Sequence, residues 1–372
     1  MNKKGFTLIE LLAVIVILAI VALIATPLIL NVIEESRKNA FKNSAYGLIE
    51  AVELDYAKDI MEDGIAGTRE YEYSNYVQVN PEKQLEYKGS KPKVGNIKIN
   101  EKGQIALAIY DGIYCAEKSF ESSEVKLFKM EEEDCILIDL PDGGVCGDSF
   151  VDKRDNDVYK TVKIGSQCWF AENLRYVGEG EDSCLPDPNN PFNCEFSTWD
   201  SGPYNNCCIH KSDDESFDSG QFKDWIGIQV MYQFDIAKTI CPSNWHLASD
   251  EEWKYLEGYV DSQYKLNHDI WNSTGERGSD AGKKLKSSVY WNGTNEYGFN
   301  ALPVGYRDIP NVLSKIGKST EWWTFLIDSG DNIVPYSRMI HSDIEPNKIW
   351  RYGPLTADPS YGFAVRCILN NE

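Results

Sequence analysis

The chain has 372 residues, of which 42% are hydrophobic and 12% aromatic, and it carries a net charge of −21. The length suggests two globular units rather than one small domain. The acidity argues against a nucleic-acid partner, because neutralising phosphates takes clustered Lys and Arg, and it suits a soluble, self-repelling outer surface.

The first element is set by a pair of cations and an apolar run. Lys3 and Lys4 precede Gly5, Phe6 and Glu10, and Leu11 to Leu30 then carry no charge. At 1.5 Å per residue that run spans roughly 30 Å, enough to cross the hydrocarbon core, with the lysines on the cytoplasmic side. An ordinary signal peptide has a shorter apolar region followed by a small-residue cleavage site. A plain anchor explains the length but not Glu10, since a charge there is costly unless it is paired or near the interface. The segment Lys4-Gly5-Phe6-Thr7-Leu8-Ile9-Glu10-Leu11-Leu12 resembles the prepilin cleavage and methylation motif of type IV pilins and pseudopilins. The resemblance implies cleavage by prepilin peptidase after Gly5 and methylation of the amine of Phe6. It also implies that Glu10 pairs with the N-terminal amine of a neighbouring subunit, and that Pro27 stands where many pilins carry a kinking proline.

The helix continues as an amphipathic stripe of Phe41, Ala45, Leu48, Ile49, Val52 and Tyr56, with Glu34, Glu35, Arg37, Lys38 and Lys42 off it. Residues 1–5 are therefore read as a leader and 6–58 as the helix, ended by Gly64 and Gly67. Residues 59–140 form a pilin head, with strands over Tyr71–Val79, Gly95–Ile99 and Gln104–Tyr110 and turns at Lys88-Gly89 and Lys102-Gly103. The ten cysteines all lie at Cys115 or later, an even number that reads as disulfides formed after export. Cys115 and Cys135 are expected to close a loop, whose acidic run from Glu131 to Asp134 reads as a solvated face. Leu140-Pro141-Asp142-Gly143-Gly144 has linker chemistry, so a linker is placed at 141–147 and a second domain at 148–372.

None of the ten Trp precedes Trp169. Five segments follow in order: 158–174 with Cys168-Trp169-Phe170-Ala171-Glu172-Asn173-Leu174, 241–253 with Cys241-Pro242-Ser243-Asn244-Trp245, 298–307, Trp322-Trp323, and Gly362-Phe363-Ala364-Val365-Arg366-Cys367. Together they resemble the Fibrobacter succinogenes major paralogous domain, apart from an insert from Cys184 to Trp225. That pattern resembles C-type-lectin-like and formylglycine-generating-enzyme folds, whose many ordered loops need staples. The expected pairs are Cys241–Cys367 and Cys146–Cys168, with Cys184, Cys194, Cys207 and Cys208 paired locally. Ser249 is expected to cap a helix toward Gly258, with Glu252 three residues on.

Candidate chemistry is sparse. Cys207-Cys208-Ile209-His210 lacks the second ligand pair of a zinc site, and disulfides are the better reading. His210, His246, His268 and His341 form no sequence cluster, and no residue takes the role of nucleophile or base, so no enzyme is expected. Asp152, Asp155, Asn156 and Asp157 offer Ca²⁺ oxygens without the EF-hand spacing; a hairpin turn fits better, and Asp213, Asp214, Glu215 and Asp218 read as a solvated loop. Glu345-Pro346-Asn347 matches the Ca²⁺ and sugar tripeptide of mannose-type C-type lectins, but Trp350-Arg351-Tyr352-Gly353 stands where those lectins carry Trp-Asn-Asp. A plain turn around Pro346 is the favoured reading, with aromatic ligand contacts from Trp322, Trp323 and Trp350 and no obligatory Ca²⁺ or other cofactor.

The expected protein is thus α+β: a long N-terminal membrane and filament helix on a small antiparallel sheet, followed by a disulfide-stapled C-type-lectin-like domain. Its expected role is that of a minor or tip pilus subunit, staged in the cytoplasmic membrane and then exposed outside the cell. Its partners are other pilin subunits, the peptidase, the assembly machinery and a glycan or surface ligand. The rival readings are a pseudopilin of type II secretion or DNA uptake, and an anchored surface enzyme.

Overall fold

The computed structural model describes residues 8–64, 67–176, 207–210, 229–308, 312–354 and 357–370. The chain divides into two compact units, Met1–Leu137 and Ile138–Glu372.

In the first unit, helix α1 runs from Leu8 to Asp63 through Pro27. Proline removes one backbone donor there, and the Thr26 hydroxyl donates to the Ala22 carbonyl at 2.7 Å one residue before it. Gly64 ends the helix in the left-handed region, at φ +71°, with its N–H on the Ile60 carbonyl. Apart from Glu10, residues 8–33 carry no charge, and their large apolar side chains are exposed within the chain. The later stripe is buried: Phe41, Ala45, Leu48, Ile49, Val52 and Tyr56 pack with Tyr71, Ile97, Leu107 and Ile109 of the sheet.

That sheet has six antiparallel strands in the order β2-β1-β3-β4-β5-β6. They are β1 (Arg69–Ser74), β2 (Val77–Asn80), β3 (Val94–Ile99), β4 (Ile105–Tyr110), β5 (Tyr114–Lys118) and β6 (Lys126–Lys129). The run expected as one strand over Tyr71–Val79 is instead a hairpin, because Asn75 and Tyr76 both take positive φ and reverse the chain. Strand β4 is buried on both faces. Ile105, Leu107 and Ile109 meet the helix side, while Ala108 and Tyr110 pack against Cys115 and Cys135, which are disulfide-bonded.

The second unit begins earlier than the expected linker. Leu140 is buried in a core, its N–H bonds to the Gly144 carbonyl, Asp139 bridges Val145, and Cys146 is bonded to Cys168. The Pro-Asp-Gly-Gly chemistry therefore builds a turn inside this unit, with Gly143 at φ +90°. Next come β7 (Ser149–Val151), β8 (Val158–Ile164), β9 (Gln167–Phe170), β10 (Cys207–His210) and β11 (Gln229–Tyr232). Asp152 to Asp157 form the hairpin turn between β7 and β8, and the Arg154 guanidinium grips the Asp152 carboxylate.

Helix α2 (Phe234–Ala237) leads to β12 (Trp245–Leu247) and α3 (Asp250–Val260). Ser249 and Glu252 form the full capping box of α3. Then follow β13 (Gly275–Arg277), α4 (Ala281–Leu285), β14 (Tyr306–Asp308), β15 (Val312–Ser314), β16 (Ser319–Ile327), β17 (Ile333–His341), β18 (Ile349–Tyr352) and β19 (Cys367–Leu369). They complete a five-stranded sheet, β12-β19-β9-β8-β7, and a four-stranded one, β13-β18-β17-β16. The Cys241–Cys367 disulfide spans 126 residues and ties the approach to β12 to the last strand.

Candidate functional site

Glu10 lies exposed on α1, amid exposed Leu8, Ile9, Leu11 and Leu12. Gly5 and Phe6 lie outside the described residues. Leu8–Glu62 is long and apolar enough to cross a membrane. A helix that is apolar all round demands a covering of lipid or other helices.

In the second unit, the sequence motifs converge on one packed cluster. Trp169, Trp253, Phe299 and Trp322 meet edge to face or tilted, with ring centroids 5.3 to 6.0 Å apart. The Asn173 side-chain oxygen accepts from both Trp322 Nε1 at 2.9 Å and Arg366 Nε at 2.8 Å. Arg366 Nη1 donates to the Phe170 and Phe299 carbonyls, and its plane lies over the Phe299 ring. Four of the five motif segments are thereby bonded into one knot.

Trp322 and Trp323, expected as ligand contacts, are both 0% exposed and lie in the core. Adjacent strand residues point to opposite faces, and β16 is covered on both. Trp323 Nε1 donates to the Tyr232 carbonyl at 2.6 Å.

A buried ion network lies beside this knot, and sequence reading missed it. Arg338 donates from Nη2 to Asp250 Oδ1 at 2.8 Å and from Nε to Glu257 Oε1 at 2.6 Å. Arg351 forks onto Asp250 at 2.7 and 2.8 Å, and Arg277 Nη2 reaches Glu257 Oε1 at 2.8 Å. Burial alone would raise the Asp250 carboxyl, but the Arg351 bonds and the charges of Arg338 and Arg351 hold it well below the usual carboxylate range. The acids come from α3 and the arginines from three strands of the four-stranded sheet, so the network pins that helix to that sheet. His246 is pinned in turn: Nε2 meets Glu252 at 2.9 Å and Nδ1 meets Asn370 at 2.7 Å.

The Glu345-Pro346-Asn347 tripeptide forms a turn closed by the Lys348 N–H on the Glu345 carbonyl at 2.9 Å. Glu345 and Asn347 are exposed, Lys348 Nζ pairs with Glu345 at 3.2 Å, and Lys286 Nζ caps the Pro346 carbonyl at 2.6 Å. Cys184, Cys194 and Asp213 to Asp218 lie outside the described residues, as do the side chains of Cys207, Cys208 and His210. Among the described residues, no three His, Cys, Asp or Glu side chains form a metal-holding group.

One face of the four-stranded sheet combines a buried acid with aromatic surface. Register places Glu321, Met339 and Trp350 in one cross-strand row and Trp323, Ser337 and Tyr352 in the next, all on the same face. Trp350 is half-buried, 5.9 Å from the Tyr352 ring and 5.7 Å from His341. Glu321 is 4% exposed and accepts from the Ser337 hydroxyl at 2.5 Å. Burial pushes its carboxyl up to about 8; the Ser337 bond opposes that shift and the nearby Asp308 charge adds to it. Tyr306, Tyr352 and Tyr361 also lie within electrostatic reach of Glu321. An acid inside a predominantly hydrophobic strand gives no sequence signal of this arrangement.

Residues 162–369 match the family described as Fibrobacter succinogenes major domain, and residues 1–26 match the prokaryotic N-terminal methylation motif. No curated protein and no solved structure matches the chain.

Proposed function

The chain belongs to the Fibrobacter succinogenes major domain family and begins as type IV pilin-like surface proteins do, and on that premise we propose that it is a minor or tip pilus subunit displaying its second unit outside the cell. The observation that carries the reading is the coupling of the methylation motif to α1. The first half of that helix is apolar all round and uncovered within the chain, while the second half is buried on a sheet. Such a helix is held in the membrane before assembly and in a bundle of like helices afterwards. The bulk of Ile138–Glu372 favours a minor subunit, because that unit on every subunit would crowd a filament. The stapled, tightly knotted second unit suits exposure outside the cell, and an adhesive, ligand-binding role is the reading its aromatic sheet face supports. No catalytic activity is proposed.

Processing tests this reading directly. Mass spectrometry of the mature protein is expected to find a chain that starts at methylated Phe6. A mature N-terminus near residue 30, as in an ordinary secreted protein, would refute it.

A further inference from the structure

Among the described residues of the second unit, most buried acids have charged or multiple donors, and Glu321 departs from that pattern. Asp250 and Glu257 hold arginines, Asp152 holds Arg154, Glu252 holds His246, and Asp261 accepts from the backbone and side chain of Ser279 and from the Gln263, Tyr264 and Asp280 N–H groups. Glu321 is buried to the same degree, yet its one hydrogen-bond partner among the described residues is the Ser337 hydroxyl. Among the described residues, no Lys, Arg or His side chain acts on it; the charged group that does is another acid, Asp308. A buried carboxyl with no cation is costly to ionise and costly to keep.

The surroundings of Glu321 suit one class of ligand. Tyr306, Tyr352 and Tyr361 are all partly exposed, so the approach to this face is aromatic and open to solvent. Tyr306 and Tyr361 meet edge to face at 6.5 Å, and Tyr361 lies within electrostatic reach of Asp308. Ring faces backed by carboxylates attract organic cations. Two carboxyls are too few for a protein-built Ca²⁺ shell, which takes about six to eight oxygens.

We propose that the face formed by Glu321, Tyr306, Tyr352, Tyr361 and Asp308 binds an organic ammonium group, with Glu321 as its counter-ion. The proposal names a ligand class for the displayed unit and rests on that reading only for its biological setting. Purified protein binds or fails to bind whether or not the chain is found on filaments.

The charge balance gives the proposal a signature. Burial holds the Glu321 carboxyl up at about 8, which favours its protonated form at neutral pH in the free protein, whereas a bound cation favours its carboxylate. Binding therefore breaks the carboxyl O–H bond and sends up to one proton to solvent. The groups facing Glu321 are Tyr306 and Asp308 from β14, Ser337 from β17, Tyr352 from β18 and Tyr361 from the segment before β19. With a permanently charged ligand, affinity rises as pH climbs from about 6 to about 8, because less work is spent removing that proton.

Choline titrated onto the full mature chain in detergent, by calorimetry in two buffers of different ionisation enthalpy, tests this. The expected result is saturable binding with proton release, and none for 3,3-dimethylbutan-1-ol, the uncharged isostere. Glu321→Gln, which can keep the Ser337 bond, should weaken choline roughly tenfold or more and abolish proton release. Tyr361→Ala, at the partly exposed rim, should weaken it several-fold and stands in if the first variant fails to fold. Equal binding of choline and its isostere, unchanged affinity in the variants, or no saturable choline binding would each overturn the proposal. So would binding of neutral saccharides in place of choline, which would mark a glycan site.

Discussion

Replacing Arg338 by alanine is expected to destabilise the second unit by roughly 3–5 kcal/mol. Arg338 is 0% exposed and bridges Asp250 to Glu257, so its removal strips a donor from two buried carboxylates at once. Asp250 keeps Arg351 and Glu257 keeps Arg277, but neither can turn to fill the gap, because each is already fixed by its own bonds. For a unit of this size the loss should lower the melting temperature by about 10 °C. Calorimetry of the full chain reads it, and a drop of only a degree or two would show that the network is not a major support of the fold. The pH dependence has a definite sign. The Asp250 carboxyl is held below its unfolded value, so its contribution is full above about pH 4 and fades as pH falls through its depressed value.

Glu10→Ala is expected to leave membrane insertion intact and to reduce incorporation into filaments by roughly a hundredfold, since a paired charge in an apolar setting is worth several kcal/mol and each 1.4 kcal/mol is tenfold. The substitution lengthens the apolar run, which favours insertion, while removing the carboxylate that a neighbour's amine would meet. Quantifying the chain in sheared filaments against the membrane fraction reads both effects. Normal incorporation would remove Glu10 from any role in assembly.

The first unit was legible where the signal is local. The spacing of Phe41, Ala45, Leu48, Ile49, Val52 and Tyr56 is a helical stripe, and those residues are the ones buried. The reversal at Asn75-Tyr76 was not legible, because neither residue is Gly or Pro and the flanking residues read as continuous strand. In the second unit the Cys146–Cys168 and Cys241–Cys367 pairs followed from the family resemblance together with position, and the Ser249 cap from spacing. The roles of its tryptophans were not. Trp322-Trp323 looks like a displayed aromatic pair, yet on a strand covered on both faces two adjacent rings fill two cores. Arg338 meets its acids across 88 and 81 residues, and no local pattern encodes such a pairing. Glu321 escaped notice for the same reason, since what distinguishes it is that no cation among the described residues meets it.

On the proposed function, the second unit is carried on a filament. Gold labelling of intact piliated cells, with an antibody to the second unit, tests it most directly. The expected result is label on filaments, sparse and concentrated at their ends. Label confined to the cell envelope, beside bare filaments, would contradict it.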